Sequence, residues 1–284
     1  MNEIRPVMQD TASPRERSVP SSDIEVWESV RAEATRAAAG ESMLRDFLDL
    51  AVLRHASLAD ALGAMLARKL AERFMAQERL TDLVHEAVSE DASIIAATAS
   101  DLVAIRLRDP ASEGYLSPFL YYKGFQALQW HRVGHFLWQN RRADLAHFLQ
   151  SRVSEVFAVD IHPAVPIGTG VFIDHGTGVV IGETSVIGND VSILQEVTLG
   201  GTGKERGDRH PKVHDGVLLS AGAKILGNIV IGRDAKVGAG RVVLRDVPPC
   251  ATVVGVPARI VGWCRETGPA HAMDQSLPEF DYVI

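Results

Sequence analysis

Between Ile161 and Val243 an aliphatic residue returns every six positions. The series is Ile161, Ile167, Ile173, Ile181, Ile187, Ile193, Leu199, Val213, Leu219, Ile225, Ile231, Val237 and Val243, with two longer steps, of eight and fourteen residues. A strict short period marks a solenoid, whose units are too small to bury their own apolar faces and must stack on their neighbours. Glycine often fills the next slot, at Gly168, Gly182, Gly188, Gly232 and Gly238, where a tight corner needs unusual backbone angles. The fifth slot is small or β-branched, as at Val171, Val191, Val197, Ala223 and Ala235. A sandwich of unrelated strands would space them irregularly, by roughly 8–12 residues, and alternate their faces.

The rest of the chain has a different grammar. Residues 1–22 are polar and proline-bearing and read as a flexible extension. From 23 to 157 the period is helical: Trp27, Val30 and Ala34 share a face, as do Leu44, Phe47, Leu48 and Ala51, and then Leu62, Met65 and Leu66. Asp23, Ser42 and Ser57 are candidate N-caps, and Gly40 a stop. Pro110 and Pro118 bracket a break, after which Phe119 to Asn140 reads as one long helix and Arg141 to Phe157 as another. An all-α domain of six to eight helices is expected over 23–157, the repeat domain over 158–264, and a polar, mobile tail over 265–284.

At 284 residues and 46% hydrophobic, the chain can bury two modest cores. A net charge of −7 with no basic face argues against nucleic acid as a partner. No signal-like apolar core opens the chain and no run approaches eighteen apolar residues, so a cytoplasmic protein without a membrane span is expected. Cys250 and Cys264 have no metal-like spacing and read as two reduced thiols, with a structural disulfide the less favoured alternative.

The two interruptions of the repeat hold the chemistry. The eight-residue step contains DHGTG (174–178), and the fourteen-residue step contains GGTGKERGDRHPK (200–212). A solenoid accommodates extra residues by pushing them outward, and loops on rigid scaffolds are where function concentrates. GGTGK is not a phosphate-binding P-loop: Thr198 stands where the first glycine is needed and Glu205 where Ser or Thr must follow the lysine.

The hexads resemble the left-handed parallel β-helix of hexapeptide-repeat proteins, in which three hexads make one triangular coil; thirteen give a little over four coils. The fold expected is therefore α+β, a helical domain followed by that β-helix. More specific are RDPAS (108–112), VDIHPAVPIG (159–168), DHGTGVVIGET (174–184), VSILQEVTLGGTGK (191–204), DRHPK (208–212) and GVPARIVG (255–262). Together these strings resemble the serine O-acetyltransferases, across roughly residues 25–264.

That resemblance implies transfer of acetyl from acetyl-CoA to L-serine, without a metal, as the first step from serine to cysteine. It makes His175 the general base, paired with Asp160, and gives the substrate ammonium to Asp109 and Asp174. Arg209 and His210 would hold the carboxylate, and Gly201, Thr202, Ala221 and Lys236 would line the acetyl-CoA arm. It further implies L-cysteine as a feedback inhibitor, homotrimers joined as dimers of trimers, and Ile284 as the tail residue that docks on O-acetylserine sulfhydrylase.

The residue chemistry agrees, with plainer readings alongside. Imidazole titrates near ~6.5 and accepts a hydroxyl proton at neutral pH. A guanidinium fork matches a carboxylate. Asp174 could simply serve a coil corner, Asp109 an Asp-Pro turn, Arg209 a solvated loop, and Ala221 and Lys236 ordinary coil positions. His162 occupies a hexad slot and could merely line the cleft, while His131 and His135 read as packed or solvated helix residues. No serine stands beside a candidate base and neither cysteine lies in a site string, which argues for direct attack rather than a covalent acetyl-enzyme. A sugar or other small-molecule hydroxyl as acceptor is the alternative, and a zinc site using His175, His210 and His214 the minority one.

Overall fold

The computed structural model describes residue 20 and residues 22–203, 206–264 and 268–276. Eight α-helices precede the first strand among the described residues: α1 (Asp23–Gly40), α2 (Arg45–Leu48), α3 (Leu58–Leu70), α4 (Gln77–Glu90), α5 (Ser93–Arg108), α6 (Leu116–Tyr121), α7 (Lys123–Gln139) and α8 (Ala143–Phe157). The α1 stripe Val26, Trp27, Val30, Ala34 and Ala38 is buried, and Ser22, not Asp23, caps the helix by accepting from the Glu25 N–H. Ser57 caps α3 as expected, while Glu41 rather than Ser42 caps the short turn at 42–44.

The single long helix expected from Phe119 is broken. Tyr122 leaves the helical region at φ −78°, ψ 105°, separating α6 from α7. Two contacts explain the break. The Tyr122 hydroxyl donates to Asp109, and Gly124 lies so close to the Ile173 carbonyl that any side chain would collide with it. Helical periodicity alone carries no trace of either.

The repeat forms the coils its period requires. In chain order the strands are β1 (Val159–Ile161), β2 (Phe172–Ile173), β3 (Val179–Ile181), β4 (Val186–Ile187), β5 (Ser192–Ile193), β6 (Thr198–Gly200), β7 (Lys212–Val213), β8 (Leu218–Leu219), β9 (Lys224–Leu226), β10 (Val230–Ile231), β11 (Lys236–Val237), β12 (Val242–Val243), β13 (Ala251–Gly255) and β14 (Ala258–Trp263). They make three sheets: β1-β3-β6-β9-β12, then β4-β7-β10, then β2-β5-β8-β11-β13-β14. Every pairing is parallel except the closing hairpin β13–β14.

The aliphatic series runs up the inside in register, Ile161 on Ile181 on Leu199 on Ile225 on Val243 along the first sheet. Ile193, Leu219, Val237 and Val253 stack along the third. Val247 pairs with Ile231, so the coils continue past Val243, where the six-residue step is lost. Each residue named in these stacks is at most 4% exposed. Their burial supplies the hydrophobic driving force that no two-residue strand could supply alone.

Polar ties fasten the helices to the β-helix. Asp101, fully buried, accepts from Arg132, Gln129 and the Val171 N–H, and Arg132 also donates to the Ile167 and Gly168 carbonyls. His131 and His135 meet the Val165 and Pro163 carbonyls at 2.9 and 2.7 Å, so they join the domains rather than face solvent.

Cys250 and Cys264, expected as free thiols, are bonded to each other as a disulfide. The hairpin is the reason: β13 and β14 bring the two residues opposite, with Cα atoms 5.0 Å apart and the Cys264 N–H donating to the Cys250 carbonyl. Spacing along the chain did not reveal that hairpin. Of the segment expected as a mobile tail, Gly268 and Ala270 are buried, with α9 (Pro269–Ala272) beside α5 and the Ala270 carbonyl accepting from Ser192, while most of 271–276 is exposed. Ile284 lies outside the described residues.

Candidate active site

Both interruptions fall at corners, but at different ones. The DHGTG turn follows β2 and leads into β3, at the corner between the third and first sheets. Asp174 still donates its N–H to the Ile193 carbonyl, and the chain then reverses at His175 with φ 56°. Left-handed backbone is uncommon for a residue with a side chain and marks a position held by its surroundings. The holding is visible in Gly176, which is buried against Gly124 and Val159, and in Gly178, whose N–H donates to the Ala158 carbonyl. The fold-back leaves the His175 ring outermost, its side chain 72% exposed.

Further groups converge there. The half-buried Asp174 carboxylate lies 3.9 Å from His175 Nε2. Asp109 ends α5, where its Oδ1 accepts from the Ala111 N–H and its Oδ2 from the Tyr122 hydroxyl, both at 2.8 Å. It thus holds the Asp-Pro turn and at the same time places a charge beside Asp174. Burial, then the Asp109 charge, raise the Asp174 pKa against the lowering pull of His175. Burial and the Asp109 hydrogen bond push the Tyr122 hydroxyl up to about 12. Lys123 Nζ donates to Thr177 Oγ1, closing the turn over α7.

Asp160 is hydrogen-bonded to α8 in this structure. It stands on β1 and accepts from Gln150 Nε2 at 2.7 Å, and no hydrogen bond joins it to His175 among the described residues. Gln150 also accepts from His147 Nδ1, tying α8 to that carboxylate.

The second interruption leaves the corner between the first and second sheets, between β6 and β7. Its returning limb is organised by Thr184: the Arg209 and His210 N–H groups both donate to Thr184 Oγ1, and the Thr184 N–H donates to His210 Nδ1. A backbone N–H can only donate, so Nδ1 is unprotonated and His210 presents Nε2–H. Gly182 leaves room for that ring; a side chain there would collide with it. Burial, then Arg209, lower the His210 pKa, which keeps the imidazole neutral. Arg209 donates through Nη2 to Glu183 at 2.8 Å and through Nη1 to the Gly207 carbonyl. Lys212 fixes the base of the loop, bonding Asp208 and the Thr184 and His210 carbonyls.

The expected residues therefore form two groups on the two edges of the first sheet. Asp109, Asp174 and His175 share one corner, and Arg209 and His210 the other. The expected acetyl-CoA residues divide likewise. Gly201 packs beside the Arg209 stem and Thr202 beside Gly227, whereas Ala221 follows β8 at the His175 corner. Lys236, on the third sheet, is buried and bonded to Asp274 and the Ser276 carbonyl.

Sequence reasoning missed Tyr122, Gln150, Glu183 and Thr184. Glu183 and Thr184 lay inside the string DHGTGVVIGET, and a hexad that follows its glycine with two polar side chains is the signal that could have found them. Tyr122 and Gln150 carry no local signal.

Residues 26–130 match the family described as serine acetyltransferase, N-terminal. The chain is 54% identical over 259 residues to the serine acetyltransferase of Escherichia coli K12, covering 91% of this chain and 95% of that protein. A serine acetyltransferase solved in complex with cysteine superposes with a TM-score of 0.89 at 52% identity, over 90% of this chain and all of the other. The soybean serine acetyltransferase solved with serine gives 0.83 at 55% identity, over 85% of this chain and all of the other. With more than half of the aligned residues shared with such a relative over nearly its whole length, the chain belongs to the serine acetyltransferase family.

Proposed function

We propose that the chain transfers acetyl from acetyl-CoA to the hydroxyl of L-serine, giving O-acetyl-L-serine and CoA, at sites assembled between neighbouring copies. The observation that carries this reading is the division of charge between two corners. One edge of the first sheet carries two carboxylates and an exposed imidazole, and the other a guanidinium and a neutral imidazole donor. Brought together from two copies, these groups complement a zwitterion with a hydroxyl side chain. Asp109 and Asp174 take the ammonium, Arg209 and His210 take the carboxylate, and the hydroxyl is left facing His175.

His175 accepts the hydroxyl proton as the oxygen attacks the thioester carbonyl, and the thiolate of CoA leaves. Asp160 stabilises the resulting imidazolium through Oδ2, while its Oδ1 keeps the Gln150 hydrogen bond. Positioning of both substrates in one cleft replaces a bimolecular encounter. The glycine-rich start of the loop suits the acetyl-CoA arm: among the described residues no side chain approaches Gly203, and Gly201 offers its backbone beside Arg209. Lys236 contributes there after releasing the 274–276 segment.

Relatives solved with serine and with cysteine support the substrate and a competing thiol, since cysteine keeps the ammonium and carboxylate that the site holds. Feedback inhibition by L-cysteine, trimers paired into hexamers, a cytoplasmic setting and docking of Ile284 on O-acetylserine sulfhydrylase belong to the same reading. The test is serine-dependent thiol release from acetyl-CoA, compared with His175→Asn. Asparagine tolerates the left-handed backbone and removes only the base. A loss of roughly 10²–10⁴-fold in kcat with the assembly intact is expected. Release that ignores serine, or that survives the substitution, overturns the reading in favour of another hydroxyl acceptor or another base.

A further inference from the structure

His162 lies outside the groups used above, yet the coils place it among them. Its N–H donates to the Ile181 carbonyl at 3.0 Å, one step beyond the Ile161–Ile181 pair, so it sits beside Gly182. Gly182 is the position over which the His210 ring lies, and the next residue, Glu183, grips Arg209. His162 therefore opens the same corner one coil below.

Its ring is fixed twice. The Ala164 N–H donates to His162 Nδ1 at 3.1 Å, which leaves that nitrogen unprotonated and puts the proton on Nε2. Trp138 and His147 hold the ring edge-on, at 5.2 and 5.3 Å between centroids. His147 is itself held, since Gln150 Nε2 donates to Asp160 and so turns its oxygen toward His147 Nδ1. The half-buried His162 Nε2–H has no hydrogen-bond partner among the described residues. Burial holds the ring below the ordinary imidazole pKa, with Glu183 opposing that shift and His147 and Arg209 adding to it.

From this geometry we infer that His162 is a substrate-positioning residue: a neutral imidazole locked as an Nε2–H donor, which joins Arg209 and His210 in holding the serine carboxylate. Two imidazoles at this corner are thus set in one tautomer by the same device, a backbone N–H at Nδ1. Arg209 already gives one arm to Glu183 and another to the Gly207 carbonyl, so extra donors at this corner add to recognition. The inference rests on serine being the acceptor.

The test uses the full-length assembly and steady-state kinetics for both substrates. His162→Phe keeps the ring packing and removes the donor; His162→Gln restores an N–H donor at similar reach. The phenylalanine variant should raise the KM for serine roughly ten-fold. It should leave the KM for acetyl-CoA near its wild-type value, and the glutamine variant should recover most of the loss. Nitrogen-15 spectra of the wild-type imidazoles should show the proton on Nε2 of His162. An unchanged serine KM in the phenylalanine variant, an equal defect in both variants, or a proton on Nδ1 overturns the proposal. A wild-type protein that fails to acetylate serine overturns the underlying reading instead, so the two failures are told apart.

Discussion

At the scale of single residues, the site depends on side chains whose states are set by backbone. Thr184 is the hub of the guanidinium corner, because one hydroxyl oxygen accepts from two consecutive N–H groups. Thr184→Val keeps the shape and strands those donors, which should lower kcat/KM for serine roughly ten-fold, mostly through KM, in steady-state assays. The acidic corner should reveal itself through pH. Asp174 must be charged to hold an ammonium, and its pKa is raised by burial and by Asp109. Serine affinity is therefore full above that raised pKa and lost as pH falls through it, at a pH above the ~3.9 of an ordinary aspartate. Calorimetric titrations in a His175→Asn background, where the base cannot contribute, should show this limb. Asp109→Asn, by removing a like charge, should move it to lower pH, and an unmoved midpoint would uncouple the two carboxylates. Of these residues, His175, Asp174, Asp109, Arg209 and His210 were legible because they stand in the interruptions or in distinctive strings. Tyr122 was not, because its hydroxyl reaches Asp109 across a turn that nothing in its own neighbourhood announces.

At the scale of elements, period was informative wherever one face of the chain is buried continuously. The aliphatic ladder foretold the strands of the coils because each hexad places one residue inside. It ended too early, at Val243, because the last coil shortens its side and Val247 follows after four residues rather than six. The break at Tyr122 and the β13–β14 hairpin escaped for a related reason: both are decided by tertiary contact, Gly124 on Ile173 in one case and the closing of the coil in the other. One buried tie between elements is also something periodicity cannot show. Asp101 and Arg132 are both buried, and their network links α5 and α7 to the first coil. Burial raises the Asp101 pKa while Arg132 and its hydrogen bonds oppose that shift. Asp101→Asn would leave Arg132 a buried cation without its counter-charge, which costs about 3–5 kcal/mol. A lowered urea midpoint with unchanged far-ultraviolet dichroism before the transition is the expected result; an unshifted midpoint would show that water reaches the guanidinium.

At the scale of the whole molecule, the two corners face apart. His175 follows the third sheet and Arg209 the first, so the width of the first sheet separates them within one chain. A rigid stack of coils cannot fold one corner onto the other, since every rung is hydrogen-bonded to the next. If both groups act on one small substrate, they come from different copies, His175 from one and Arg209 from its neighbour. That arrangement makes a quantitative prediction. His175→Asn and Arg209→Ala should each be nearly inactive when assembled alone. When the two are unfolded together and reassembled in equal amounts, each site draws its imidazole and its guanidinium independently. Half of the imidazole donors are intact, as are half of the guanidinium donors, so about a quarter of the sites carry both. Thiol release should recover to about a quarter of the wild-type rate, and mixing the folded proteins without exchange of chains should recover none. Recovery of that size would locate the site between copies and fix which corner each copy contributes. Its absence, with mixed assemblies demonstrated by mass, would return both roles to a single chain and require the loop between β6 and β7 to travel the breadth of a sheet.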